Sequence, residues 1–268
     1  MKLTILGSGG ATPTPRPYCQ CTICRKARKF GEPFKRNSSS LFVNEINTVI
    51  DCGEDIADSF NRRNIKRVDN LFITHWHPDH TFGLRHLLEP YFSFRKNRAE
   101  KNVNIYIPKN VFKILKEKFP CIEYYINIQK TGKLHLIEDR DRIKIKDFYI
   151  TAVGYTGKKS STFAYLIENL GKKLLYAPCD TIDFNNYKKF NDLDLLINEC
   201  GIFSDVSSEI SFNDLMQRLR DIKPKKILLT HIEEEEINFW GEKYLQKMKK
   251  VYSDIDFDFT YDGMKIKV

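Results

Sequence analysis

Short runs of branched apolar residues recur along the first third of the chain, at residues 3–6, 41–43, 48–50 and 71–74, and each predicts a strand. Residues 55–63 read as a polar helix, and residues 81–91, with apolar positions near helical spacing, predict a second. A strand at 103–107 and a helix at 111–118 follow. The middle of the chain is strand-rich, at 134–137, 142–146, 148–153, 162–167 and 173–176, with Gly171 turning between the last two. The final third alternates: strand 193–198, helix 211–220, strand 226–230, helix 238–250 and strand 261–268. Two halves, each running strands and then helices, imply an α/β chain in which two sheets stack and helices cover both outer faces. No internal sequence repeat and no linker rich in Pro, Gly or Ser interrupts the 268 residues, so residues 1–268 are expected to form a single domain.

Composition narrows the class without naming a function. The chain is 41% hydrophobic and 13% aromatic, which describes a globular protein. No apolar run reaches the roughly 20 residues that span a bilayer, and the first seven residues hold too short an apolar segment for a secretory signal. A cytoplasmic location and no membrane partner are expected. Forty-four basic against 35 acidic residues give a net charge of +9, which favours anionic partners. The basic residues lie in scattered pairs such as Arg62-Arg63 and Lys188-Lys189. A solvated surface accounts for them better than a nucleic-acid patch. Seven cysteines, without a signal for export, point to thiols or metal ligands in place of a disulfide framework.

Three of the six histidines fall within His75-Trp76-His77-Pro78-Asp79-His80, directly after an apolar run. In a strand that leads into a loop, His75 and His77 point the same way, and Pro78 turns the chain so that Asp79 and His80 fold back. Imidazoles and a carboxylate converging on one point suit zinc, iron or manganese.

The pattern H-x-H-x-D-H after an apolar strand resembles the signature of the metallo-β-lactamase superfamily. Leu6-Gly7-Ser8-Gly9-Gly10, Val49-Ile50-Asp51-Cys52-Gly53, Tyr176-Ala177-Pro178-Cys179-Asp180-Thr181 and Leu229-Thr230-His231 extend the resemblance over the whole chain. It implies a four-layer αβ/βα sandwich with metals at one edge of the two sheets. It also implies that His75 and His77 bind a first metal, that Asp79, His80 and His231 bind a second, and that Asp180 bridges them. Two cations about 3.5 to 4 Å apart can hold and activate a hydroxide for in-line attack. Asp79 is then also the catalytic residue that orients it. The amides of residues 7–10 are expected near the substrate.

The third histidine that the first metal takes in this superfamily is missing, since residues 153–163 contain none. Water, Tyr155, Thr156 or another side chain takes its place, or the centre holds one metal. Lys158 or Lys159 is a further candidate, as an ammonium near an anionic substrate. His86 and His135 are expected to be structural or surface residues. Cys19-Gln20-Cys21-Thr22-Ile23-Cys24 gives three thiols within six residues, enough to wrap one structural zinc with a fourth ligand. This element resembles the cysteine loop of the superfamily's PhnP-like branch, the phosphoribosyl cyclic phosphodiesterases. Where that branch supplies a histidine as fourth ligand, this chain has Glu234, and Cys52, Cys121 and Cys200 are the alternatives. Cys179 is expected to be a small buried residue. Ile202 replaces a histidine thought to help the leaving group depart.

These features imply a metal-dependent hydrolase with one or two active-site cations, zinc or manganese, and one structural zinc. Its expected reaction is hydrolysis of a small, cyclic phosphodiester through metal-bound hydroxide. An RNA-processing nuclease resembling tRNA 3′ endonuclease, with nucleic acid as the less favoured partner, and a non-hydrolytic metal-binding protein are the alternatives. Homo-oligomerisation is left open.

Overall fold

The computed structural model describes residues 1–155, 161–184, 190, 192–203, 209–241 and 243–268. Its strands are β1 (Lys2–Gly7), β2 (Ser40–Val43), β3 (Thr48–Ile50), β4 (Asn70–Phe72), β5 (Phe92–Ser93), β6 (Arg98–Ala99), β7 (Val103–Pro108) and β8 (Gly132–Ile137) in the first half. The second half supplies β9 (Arg142–Ile145), β10 (Phe148–Gly154), β11 (Phe163–Asn169), β12 (Lys172–Ala177), β13 (Leu195–Glu199), β14 (Ile227–Thr230), β15 (Phe257–Phe259) and β16 (Lys265–Lys267). One sheet runs β16-β1-β2-β3-β4-β7-β8 and the other β15-β14-β13-β12-β11-β10-β9, while β5 and β6 form a small hairpin.

The two sheets share a plan that no repeat in the sequence announces. In the first, β1, β2 and β3 pair antiparallel, and β3, β4, β7 and β8 continue in parallel. In the second, β9 to β12 pair antiparallel, and β12 to β15 continue in parallel. Parallel neighbours need crossover segments, and these carry most of the helices, α1 (Thr22–Phe30) lying outside them. They are α2 (Ile56–Arg63), α3 (Pro78–Thr81), α4 (Leu84–Leu88), α5 (Lys109–Lys118), α6 (Phe212–Ile222), α7 (Glu234–Trp240) and α8 (Tyr244–Val251).

Alternation along the strands separates the layers. Leu174, Tyr176, Leu195, Ile197 and Leu228 join the core that runs between the sheets. Their neighbours Leu175, Ala177, Leu196, Ile227 and Leu229 pack instead on α6 through Phe212, Leu215, Met216 and Leu219. A strand buried on both faces reads as an unbroken apolar run, as residues 195–197 do.

Three predicted elements divide. The helix expected over 81–91 is two short helices, α3 and α4, followed by a 3₁₀ turn at Glu89–Tyr91. At the break the Gly83 amide donates to the Cys52 carbonyl at 2.9 Å, and the loops lie so close that a Cβ on Gly83 would sit 2.1 Å from the Gly53 carbonyl oxygen. The helix expected over 238–250 starts earlier, at Glu234, and breaks at Gly241, whose φ of +86° leaves the helical region. The strand expected over 261–268 begins only after Gly263 (φ +83°), and Phe257–Phe259 forms a separate strand in the other sheet.

A buried polar knot joins the N-terminal turn to that crossover. Asp262 accepts from Ser8 N at 2.9 Å, Ser8 Oγ at 2.7 Å and Asn37 N at 2.7 Å. The buried Arg36 guanidinium donates to Ser8 Oγ at 2.8 Å and to the Thr260 carbonyl at 2.7 Å. The amides of Gly9 and Gly10 donate to the carbonyls of Asn37 and Ile232. The knot and the neighbouring loops thus take the amide donors of Ser8, Gly9 and Gly10. Asp262→Ala leaves two buried backbone donors without their acceptor and removes the charge nearest Arg36. We expect a loss of about 3 kcal/mol of stability, measured as a lower urea midpoint at unchanged m-value; an unchanged midpoint would show that the knot contributes nothing.

Candidate metal centres

The histidine motif begins where β4 ends, and two contacts from the second sheet fix its first residues. Tyr165 Oη donates to the Ile73 carbonyl at 2.7 Å, and Phe163 N donates to the Thr74 carbonyl at 3.1 Å. The opposite side is held by Asp51, which follows β3 and is wholly buried. Its carboxylate accepts from Thr74 N, Thr74 Oγ1 and His80 Nδ1, each at 2.8 Å.

These contacts set the tautomers. His80 donates its Nδ1 proton to Asp51, so Nε2 is left as the ligating atom. The Thr74 hydroxyl gives its proton to Asp51 and therefore accepts from His75 Nδ1, 2.9 Å away. His75 Nε2 in turn points at His77 Nδ1, at 2.9 Å. His80 Nε2 is buried and makes no hydrogen bond, although it lies 3.1 Å from Asp79 Oδ2. His231, after β14, places Nε2 3.3 Å from the same Asp79 oxygen and Nδ1 3.3 Å from Glu233 Oε1. Asp180 follows β12 and accepts from Thr162 Oγ1 at 3.0 Å.

Two groups of potential ligands result. The ligand atoms of His75, His77, Cys179 and Asp180 all lie within 4.8 Å of one another, as do those of His80, Cys179 and His231. Asp79 joins the second group through its contacts with both imidazoles. The residue common to both groups is Cys179, where the sequence pointed to Asp180. Burial lowers the pKa of His75 and His77, which keeps them neutral as ligands must be. Burial opposes charge on His80 as well, yet Asp79 and Asp51 outweigh it and hold its pKa well above the usual value. His231 is raised too, against burial, chiefly by Cys179 and Asp79. Asp79 is held well below the carboxylate range by His80 and His231, although burial acts the other way. The carboxylates here demand positive charge, and a cation that provides it displaces the imidazole protons.

The cysteine loop forms a separate cluster. Cys19, Cys21, Cys24 and Glu234 bring their ligand atoms within 4.8 Å of one another. Glu234 Oε1 is 3.0 Å from Cys21 Sγ, 3.1 Å from Cys24 Sγ and 3.8 Å from Cys19 Sγ. Cys21 also caps α1 by accepting from Cys24 N. Of the alternatives for a fourth ligand, Cys52 and Cys200 are buried elsewhere and Cys121 is exposed, so Glu234 is the residue that the fold delivers.

The remaining candidates separate cleanly. His86 is exposed, and His135 stacks on Tyr106 and bonds to Asn104. Tyr155 packs its ring on Phe184. Thr156, Lys158 and Lys159 lie outside the described residues. Ile202 is buried and lines a cleft of about 470 Å³ with Ala11, Thr12, Glu209 and Glu233 to Glu236. Asp51 and Thr74 had not been singled out as functional; a polar residue placed directly after a buried strand was the available signal. Cys179 is buried as expected, but its place beside both imidazole groups was not foreseen.

Residues 46–232 match the model of the beta-lactamase superfamily domain, and the chain belongs to that family. Two sheets with helices on their outer faces are the fold of its solved relatives. The Zn²⁺-bound PqqB of Methylobacterium extorquens superposes with a TM-score of 0.83 over 100% of both chains, at 16% identity. A diphosphatase from the PhnP family gives 0.78, covering 99% of this chain and 96% of that one at 19% identity. In sequence, the chain is 28% identical over 199 residues to ribonuclease Z of Picrophilus torridus, covering 74% of this chain but only 56% of that protein.

Two outcomes follow from this geometry. Asp51→Asn substitutes an amide for one of the oxygens that orient His80 and Thr74, and should weaken metal binding at the histidine centre about 10- to 100-fold, read by competition with a chromophoric chelator. Replacing Cys19, Cys21 and Cys24 together by serine should remove one zinc per chain by elemental analysis and leave the histidine-bound metal in place; equal zinc in both proteins would rule out the cysteine site.

Proposed function

We propose that the protein is a metal-dependent hydrolase of phosphodiesters, of the PhnP-like kind, acting in the cytoplasm on a small cyclic substrate. The observation that carries this reading is the convergence of His75, His77 and Asp180 with Asp79, His80 and His231 at the strand ends. The donor set fits divalent cations: neutral imidazoles, carboxylates, and a buried His80 Nε2 without a hydrogen bond. One or two zinc or manganese ions there, and one zinc on the cysteine loop, are the proposed complement. Such ions supply Lewis acidity and lower the pKa of a nucleophile.

The chain's own residues supply the rest. Asp51 and Thr74 hold two imidazoles in their ligating tautomers. Thr162 holds the Asp180 carboxylate, and Asp79 orients what binds between His80 and His231. Ile202 brings no proton to a leaving group, but Glu209 lines the same cleft. Burial pushes Glu209 up to about 7, so it stays protonated into the neutral range and can donate to the departing oxygen. The glutamates of that cleft also make it a poor path for a long polyanion, which favours a small diester.

The test is turnover of bis(p-nitrophenyl) phosphate with zinc or manganese, followed across pH. Glu209 is in its donating form below about pH 7 and loses it above, so the rate should fall on the alkaline side. Glu209→Gln should remove that alkaline limb and lower kcat about 10²-fold or more; an unchanged profile would take Glu209 out of the reaction. No turnover with either metal would favour a non-hydrolytic metal-binding protein. The ribonuclease Z match supports a second reading, an RNA-processing nuclease. That reading requires RNA binding that weakens steeply with salt, and failure to bind RNA at low salt removes it.

A further inference from the structure

We propose that Cys179 is a metal ligand shared by the two halves of the histidine centre, that it stands in for the missing third histidine, and that it makes the centre selective for zinc. The inference rests on the metal-dependent reading above and adds a residue to it.

Three observations support it. Among the described residues, Cys179 is the one that belongs to both ligand groups, within 4.8 Å of the ligand atoms of His75, His77 and Asp180 and also of those of His80 and His231. It is a free thiol, 7% exposed, and so neither solvated nor engaged in a disulfide. Against it stands His80 Nε2, wholly buried and without a hydrogen bond. The backbone explains the placement. Pro178 ends the β12 ladder, and Asp180 adopts φ +55°, so Cys179 sits on the turn that carries Asp180 to the centre.

The chemistry follows from softness and charge. Thiolates favour zinc, whereas carboxylate and water sets suit manganese and magnesium. Cys179 therefore shifts the preference of an otherwise imidazole and carboxylate site towards zinc. On binding, the S–H bond is replaced by an S–metal bond and the proton leaves to solvent, so no oxidant or reductant is involved. The thiolate also adds a negative charge where a neutral histidine would have added none. That charge lowers the electrophilicity of the centre, which suits a reactive or strained diester better than an unactivated one.

The experiment uses the full chain loaded with Co²⁺ in place of zinc, comparing wild type with Cys179→Ser. Thiolate-to-cobalt absorption in the near ultraviolet from Cys19, Cys21 and Cys24 is common to both proteins, so the difference spectrum reports Cys179 alone. A positive difference band is expected, together with zinc affinity at the histidine centre about 10-fold or more weaker in the variant. Cys179→His, which restores an imidazole, should keep the metal while losing the same band and becoming more tolerant of manganese; it also serves if the serine variant does not fold. Identical spectra and equal zinc affinities would overturn the assignment while leaving the metal-dependent reading intact. Should the protein with Cys19, Cys21 and Cys24 all replaced by serine hold no metal, the histidine centre binds none, and both readings fall.

Discussion

The centre depends on one buried carboxylate. Asp51 receives three hydrogen bonds of 2.8 Å from a segment more than twenty residues away, and through Thr74 it also determines which nitrogen His75 offers. A charge at zero exposure is costly unless it is matched. Here the match comes from the same residues that the site needs oriented, so stability and preorganisation rest on the same contacts. The glycines beside it serve that arrangement. A Cβ on Gly53 would come within 2.4 Å of the Asp79 carbonyl, and only a bare backbone lets the two loops meet.

Around that carboxylate the sheets deliver ligands by one repeated device. Asp51, Asp180 and His231 each follow the end of a strand, β3, β12 and β14, and each turns through the left-handed region at φ +62°, +55° and +55°. For residues other than glycine this costs on the order of 1 kcal/mol or more apiece. The turn takes the side chain off the alternating pattern of its strand and sends it across the edge of the sheet. The parallel runs of both sheets place several such ends along one edge, the usual position for sites in α/β folds.

Much of this was legible before the structure. The spacing of His75, His77, Asp79 and His80 pointed to side chains that converge, and the apolar runs before residues 51, 75, 180 and 231 pointed to strands near whose ends they sit. The cysteine loop announced the second cluster and offered Glu234 among its partners. What stayed hidden depends on position in space. Asp51 reads as one more polar residue after a strand until the fold shows what it accepts. Helix breaks at Gly83 and Gly241 and the crossing of the last strand at Gly263 depend on close approaches and backbone angles that periodicity does not encode. Cys179 looked like core because its sequence position shows a small buried side chain and not the imidazoles that the fold brings beside it.

The two clusters are also mechanically one. Residues 230 to 234 run from β14 through His231 to Glu234 within a single short segment, so a ligand of each cluster sits three residues from the other. Glu233 lies between them, facing His231 Nδ1 at 3.3 Å and accepting from Ala11 N at 2.9 Å. Arg16 approaches Glu234 at 3.5 Å and also pairs with Glu235, which offsets part of the acidic charge gathered there. A cation held by the cysteines and Glu234 would therefore tether the segment that positions His231. The cysteine loop, in this view, would brace the histidine cluster, and the distance between the two clusters is set by three peptide units.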